Sequence, residues 1–165
     1  MCSIAIWSDV TVDIIQVCLY ARRAAAPSGS ELAGLPGVRV LDPEIPPHAA
    51  APAEMMVRTE HGPVTCWRLS EVETALHREQ HMRQHAEIEL LVQHLRDVRQ
   101  AWHLSAPART HLGLMRIVDG LAELLDGVYL STWWYRPGGR AIETFRDRRS
   151  IDEVLSSLPL SLDRK

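Results

Sequence analysis

Met55-Met56-Val57-Arg58-Thr59-Glu60-His61-Gly62-Pro63-Val64-Thr65-Cys66-Trp67-Arg68-Leu69 is the stretch whose reading decides the fold. Two β-prone runs, 55–59 and 63–69, flank a short polar turn. Gly62 supplies the flexible turn position, and Pro63 belongs at the start or edge of its strand because it has no N–H to give to a ladder. A hairpin of this kind makes the sheet antiparallel or mixed. The next four residues, Ser70-Glu71-Val72-Glu73, form a capping box: the serine oxygen takes a free amide of the first turn, and a glutamate three residues on reciprocates. A strand pair that runs directly into a helix start predicts an α+β arrangement.

Working outward from 55–73, the chain before it alternates strand, helix and loop. Ser3 to Trp7 reads as a short strand. Asp9 then stands where a helix cap belongs, and Val12, Ile15 and Leu19 recur every three or four residues, so a helix is expected from Val10 to Ala26, stopped by Pro27-Ser28-Gly29-Ser30. The β-branched residues of that segment lower its helix propensity, and the alternative is a strand pair over 4–18. Gly37 to Asp42 alternates as a strand, and the Pro/Ala-rich 43–52 is a surface loop.

After Ser70, a single long central helix is expected as far as His103, with Ile88, Leu91, Leu95, Val98 and Trp102 as its apolar stripe and a much more polar first half. A second helix is read from Ser105-Ala106-Pro107 to Gly127, which ends it. Val128 to Tyr135 is a β-prone run, Pro137-Gly138-Gly139 a turn, and Arg140 to Phe145 a returning strand. Ser150-Ile151-Asp152-Glu153 repeats the capping box before a last helix to Leu158. The fold expected is one compact α+β domain over 1–165, with about five strands in an antiparallel or mixed sheet covered on one face by helices.

Composition bounds the function classes. The chain has 165 residues, 46% hydrophobic and 24% charged, with a net charge of -3, which fits one soluble domain and gives no electrostatic footprint for nucleic acid or an anionic membrane. Three scattered cysteines, Cys2, Cys18 and Cys66, suit neither a disulfide framework nor a clustered thiolate site, and they fit a reducing compartment. The opening residues lack the basic start of a secretory signal, and no window reaches the length of a membrane span, so a cytoplasmic protein is expected.

Three constellations carry chemistry. His77, His81 and His85 recur every four residues, with Glu73 and Glu89 in the same series, so their imidazoles neighbour one another on one helix face; such a pair can hold a metal, although the series lacks the glutamate of the helical metalloprotease pattern. Cys66 with His61 is the nearest thiol–imidazole pair in sequence. Trp133-Trp134-Tyr135 with Arg136 and Arg140 is the expected interface, because tryptophan and arginine are effective anchors of protein contacts. No catalytic residue, metal ligand or cofactor is assigned.

Two resemblances bear on function. Met1-Cys2-Ser3-Ile4-Ala5 resembles the start of N-terminal-nucleophile glutamine amidotransferases, which implies a Cys2 thiol activated by its own α-amine; Ser3 departs from that family's glycine. The expected order of helix, three strands, helices, two strands and helix is similar to that of type III secretion chaperones, small acidic dimers that bind unstructured segments. The expected function is a cytoplasmic protein-binding domain such as an adaptor, immunity protein or dedicated chaperone, with a protein partner or a homodimer, no membrane and no nucleic acid. The competing class is a small enzyme or ligand-binding protein using the His77/His81/His85 face or a Cys–His pair.

Overall fold

A computed structural model describes residues 14–87 and 89–135, at Leu90, Ala108 and 130–135 by their backbone. Its framework is one sheet of six strands, β1 (Ile14–Ala21), β2 (Val38–Asp42), β3 (Glu54–Thr59), β4 (Gly62–Arg68), β5 (Gln100–Pro107) and β6 (Gly127–Tyr135), in the order β2-β3-β4-β5-β1-β6. Every neighbouring pair is antiparallel. Four helices accompany it: α1 (Gly29–Ala33), α2 (Glu71–Gln84), α3 (Glu89–Arg96) and α4 (His111–Leu125). The α+β class and the antiparallel sheet are as expected.

The β3–β4 hairpin forms where its sequence placed it, with Thr59 opposite Gly62. Gly62 takes φ +126, and the Thr59 hydroxyl donates to its carbonyl at 2.9 Å. A side chain at Gly62 would also strike the buried Thr110 hydroxyl, at 2.8 Å from the added carbon, so the turn needs glycine for space as well as for conformation. The Ser70–Glu73 capping box is formed in full.

Four expectations are corrected. The helix read over 10–26 is, over its described part, the strand β1 followed by an irregular segment at 22–26, and β1 sits between β5 and β6. Residues Val17 to Ala21 are buried on both sheet faces, and a strand covered on both sides reads as a continuous apolar run that mimics helical spacing. The long central helix is two helices broken around His85–Glu87, followed by the strand β5; Trp102 and His103 are strand residues. Ser105-Ala106-Pro107 ends that strand, and the helix begins only at His111. Helices cover both faces of the sheet, with α4 and α1 packing on one core and α3 with part of α2 on the other.

The larger core joins Ile15, Val17, Leu19, Val57, Val64, Trp102 and Leu104 of the sheet to Leu114, Ile117, Val118, Leu121 and Leu125 of α4. Burying each large aliphatic side chain stabilises by about 1.5–3 kcal/mol, so this face carries most of the driving force. The smaller core joins Cys18, Tyr20, Ala101 and Val128 to Leu91 and Leu95 of α3. Asp126, in the left-handed region at φ 56, ends α4 in place of Gly127, and its carboxylate accepts from the Arg22 guanidinium at 2.8 Å. Gly127 opens β6, where an added side chain would meet Leu19 at 2.8 Å.

The Pro/Ala-rich loop is more than a surface connection. Ile45 and Ala51 are buried, and the loop pairs with the start of α1 through Gly29 N–H to Ala49 O and Ala51 N–H to Pro27 O. Ser28, read as part of a stop, caps α1 in a second capping box with Glu31. The strand at 3–7, the returning strand at 140–145 and the last helix lie outside the described residues.

Candidate functional site

Two places on this framework gather the features a function would use: a polar layer between α2 and the sheet, and an open groove along the β2 edge.

The polar layer is built by three elements. The four-residue spacing of His77, His81 and His85 lays them along one face of α2. β1 contributes Gln16, Cys18 and Tyr20, which alternate onto one sheet face. β5 sets His103 directly opposite Cys18. The rings meet edge to face: His77 with His103 at 5.6 Å between centroids, Tyr20 with His81 at 5.3 Å, and Trp67 with His103 at 5.4 Å. His85 stacks on His81 at 6.0 Å.

Hydrogen bonding in this layer is incomplete. The Gln16 amide nitrogen donates to Nδ1 of His103 at 3.0 Å, which leaves the ring proton on Nε2. That Nε2, Nδ1 of His81 and the Tyr20 hydroxyl are buried and make no hydrogen bond within geometric limits among the described residues. By contrast, His94 of α3 uses Nε2 to donate to the Tyr20 carbonyl at 3.0 Å. An unsatisfied buried polar group costs about 1–3 kcal/mol.

Ionisation follows from burial. Burial pulls His81 down to about 4, with His85 and His77 adding repulsion, and pulls His103 down to about 4, with His77 adding to the effect and Glu73 opposing it. Burial pushes the Cys18 thiol up to about 12, partly offset by the neighbouring Tyr20 hydroxyl, and pushes Cys66 up to about 12. At neutral pH the thiols are protonated and these two imidazoles uncharged, so neither cysteine is a nucleophile and neither imidazole is matched to general-base work.

The structure does not bring the expected thiol–imidazole pair together. Cys66 lies in the α4-facing core, whereas His61 sits in the β3–β4 turn beside Glu60 at 3.3 Å. The pairing it does make, Cys18 opposite His103, was invisible because both residues were read as helical. Among the described residues no three histidine, cysteine or acidic side chains are placed to hold a metal. Cys2 lies outside the described residues.

The groove runs between α1 and β2, with a volume of about 710 Å³. Ala33, Val38, Val40, Leu41, Ile45 and Pro47 give it an apolar lining, and Arg39 and Glu44 stand at it with opposite charges. Val40 is 53% exposed. β2 pairs only with β3, so its other side is a free edge of the described sheet. Sequence reasoning missed this place because α1 was unread; Ser28-Gly29-Ser30-Glu31 carries the same serine-to-glutamate spacing as Ser70–Glu73 and would have revealed it.

Of the expected interface, Trp133, Trp134 and Tyr135 lie on β6, opposite Gln16, Ile15 and Ile14 in register. Arg136 and Arg140 lie outside the described residues. Among the described residues, no helix is long and apolar enough to cross a membrane. No protein-family model, curated protein or solved structure matches the chain. With a strand where the first helix was expected, the order of elements also departs from that of type III secretion chaperones.

Proposed function

We propose that this is a small cytoplasmic protein-binding domain with no catalysis of its own, taking an extended segment of a protein partner along β2. The observation that carries the reading is the groove beside that strand: a free sheet edge next to an open apolar channel is the arrangement in which a peptide adds as a further strand and seats alternate side chains. The edge discourages self-pairing. It is five residues long, its register slips between Val38 and Val40, and Arg58 and Asp42 stand 3.9 Å apart across β3 and β2. A partner shaped to that irregular edge therefore fits better than a second copy. Trp133, Trp134 and Tyr135 of β6, at the other end of the described sheet, together with Arg136 and Arg140, are the second contact surface in this reading.

Native mass spectrometry of the protein purified gently from its source cells tests the proposal. A stoichiometric protein partner is expected. Val40→Glu is then expected to weaken that complex at least tenfold, and Trp134→Ala reports separately on the aromatic surface. A bare monomer sinks the reading, and an added mass matching a metal ion or small molecule favours the alternative. One observation supports that alternative, a ligand-binding protein using the α2 histidines: Nδ1 of His81 and Nε2 of His103 are buried with no hydrogen bond among the described residues.

A further inference from the structure

The attachment of α2 to the sheet is unusual in its chemistry. Of the helix's 14 residues only Thr74 and His81 are buried, and its ring contacts with the sheet are made by imidazoles: His77 against His103 and His81 against Tyr20. Val72 and Leu76, which would suit an apolar seam, are 69% and 62% exposed on the outer side. The layer also holds three of the four buried polar atoms that lack a partner among the described side chains.

We infer that α2 is a proton-operated flap: acidification charges His81 and His103 and releases Glu71–Gln84 from the sheet while the α4 face stays folded. The reason is that the layer offers these imidazoles little that would stabilise a positive charge. His81 is faced by His77 and His85 from its own helix and by Tyr20, beside Cys18, from β1. His103 is faced by His77 and Glu73 from α2, by Gln16 from β1 and by Trp67 from β4. On the side of α3, His94 is engaged with the Tyr20 carbonyl, and the Arg78 guanidinium adds a positive charge where it donates to the Val98 carbonyl. Glu73 is the carboxylate that acts on this layer. It is tied to the Ser70 cap, which lowers its own ionisation range, and it eases the charging of His103 only in part, without reaching His81.

Undocking returns the rings to water, where imidazole titrates near its ordinary value. A ring held at about 4 when docked then favours the released state by roughly 30-fold at pH 5, and two rings compound the effect. Release stays local because α4, on the opposite face, is seated by eight buried residues, all of them apolar or glycine.

Hydrogen exchange of the full chain at pH 7 and pH 5, with times scaled for the intrinsic amide rate, tests the flap. Amides of 71–84 are expected to lose at least tenfold in protection at pH 5, and those of 111–125 to keep theirs. Loss in both helices together, or in neither, overturns the proposal. The double variant His81→Phe, His103→Phe keeps rings and removes charge, so its α2 protection is expected to be the same at both pH values; a loss equal to the wild type's overturns it. Should that variant not fold, an NMR titration of the wild-type imidazoles decides: two rings that take up their protons well below 6.5, in step with the loss of α2 protection, are expected, and every ring titrating near 6.5 refutes the mechanism.

Discussion

The two faces of this sheet are closed by opposite kinds of chemistry. On one face α4 buries Leu114, Ile117, Val118, Leu121, Ala122 and Leu125 together with two glycines that let the helix approach closely. Gly113 lies so near Thr59 that an added carbon would collide with its hydroxyl. On the other face α3 is anchored by Leu91 and Leu95, but α2 is held through imidazoles, a threonine and a half-buried Met82. Apolar contact is insensitive to pH and accumulates with area, whereas imidazole contact holds only while the rings are neutral. The difference separates a face that fixes the fold from one that can respond to conditions.

The comparison breaks first if α4 is not the dominant seat. Leu121→Ala, at a fully buried position, is expected to cost about 2–5 kcal/mol in urea unfolding; a loss below 1 kcal/mol removes the distinction between the faces. Acidification comes next. Because His81 and His103 are held below their unfolded value, their contribution is fully present above pH 6.5 and falls away as pH drops toward 4. At pH 5 this amounts to about 2 kcal/mol for each ring, to be read as the change in unfolding free energy between pH 7.5 and 5 in wild type against His81→Phe. An unchanged or higher stability at pH 5 reverses the sign and the argument with it.

Smaller effects sharpen the contrast. Ser70→Ala removes the capping box of α2 and is expected to cost about 1 kcal/mol, seen as faster amide exchange within 71–84 alone; equal acceleration in α4 means the two faces are not independent. Leu76→Gln, on the outer surface of α2, is expected to shift stability by less than about 0.5 kcal/mol. A larger cost in differential scanning calorimetry means that Leu76 is covered in solution.

Much of the framework is legible in the sequence. The β3–β4 hairpin announced itself through Gly62 and Pro63, α2 through Ser70 and Glu73, and β6 through its β-branched and aromatic run, because in each case the signal is local: a turn conformation, a cap or a propensity. The groove was half legible. Val38–Asp42 read as a strand, but its wall, α1, lay behind a capping box taken for a stop. The polar layer was half legible too, with the α2 histidines in plain view and their sheet partners assigned to helices.

Residues 14–21 and 100–107 show where local reading ends. Ile-Ile-Gln-Val-Cys-Leu-Tyr-Ala and Gln-Ala-Trp-His-Leu-Ser-Ala-Pro lie side by side as interior strands of the sheet, covered on both faces, so neither shows the alternation that marks a half-buried strand. The sequence by itself determined the class, the hairpin, the caps and the spacing of the α2 histidines, since those depend on residues within a few positions of one another. Only the tertiary structure decided that Cys18 stands opposite His103, that Tyr20 meets His81 and that two helices attach to opposite faces by different chemistry. Strand order and burial are properties of contacts between residues scores of positions apart, and no local pattern encodes them.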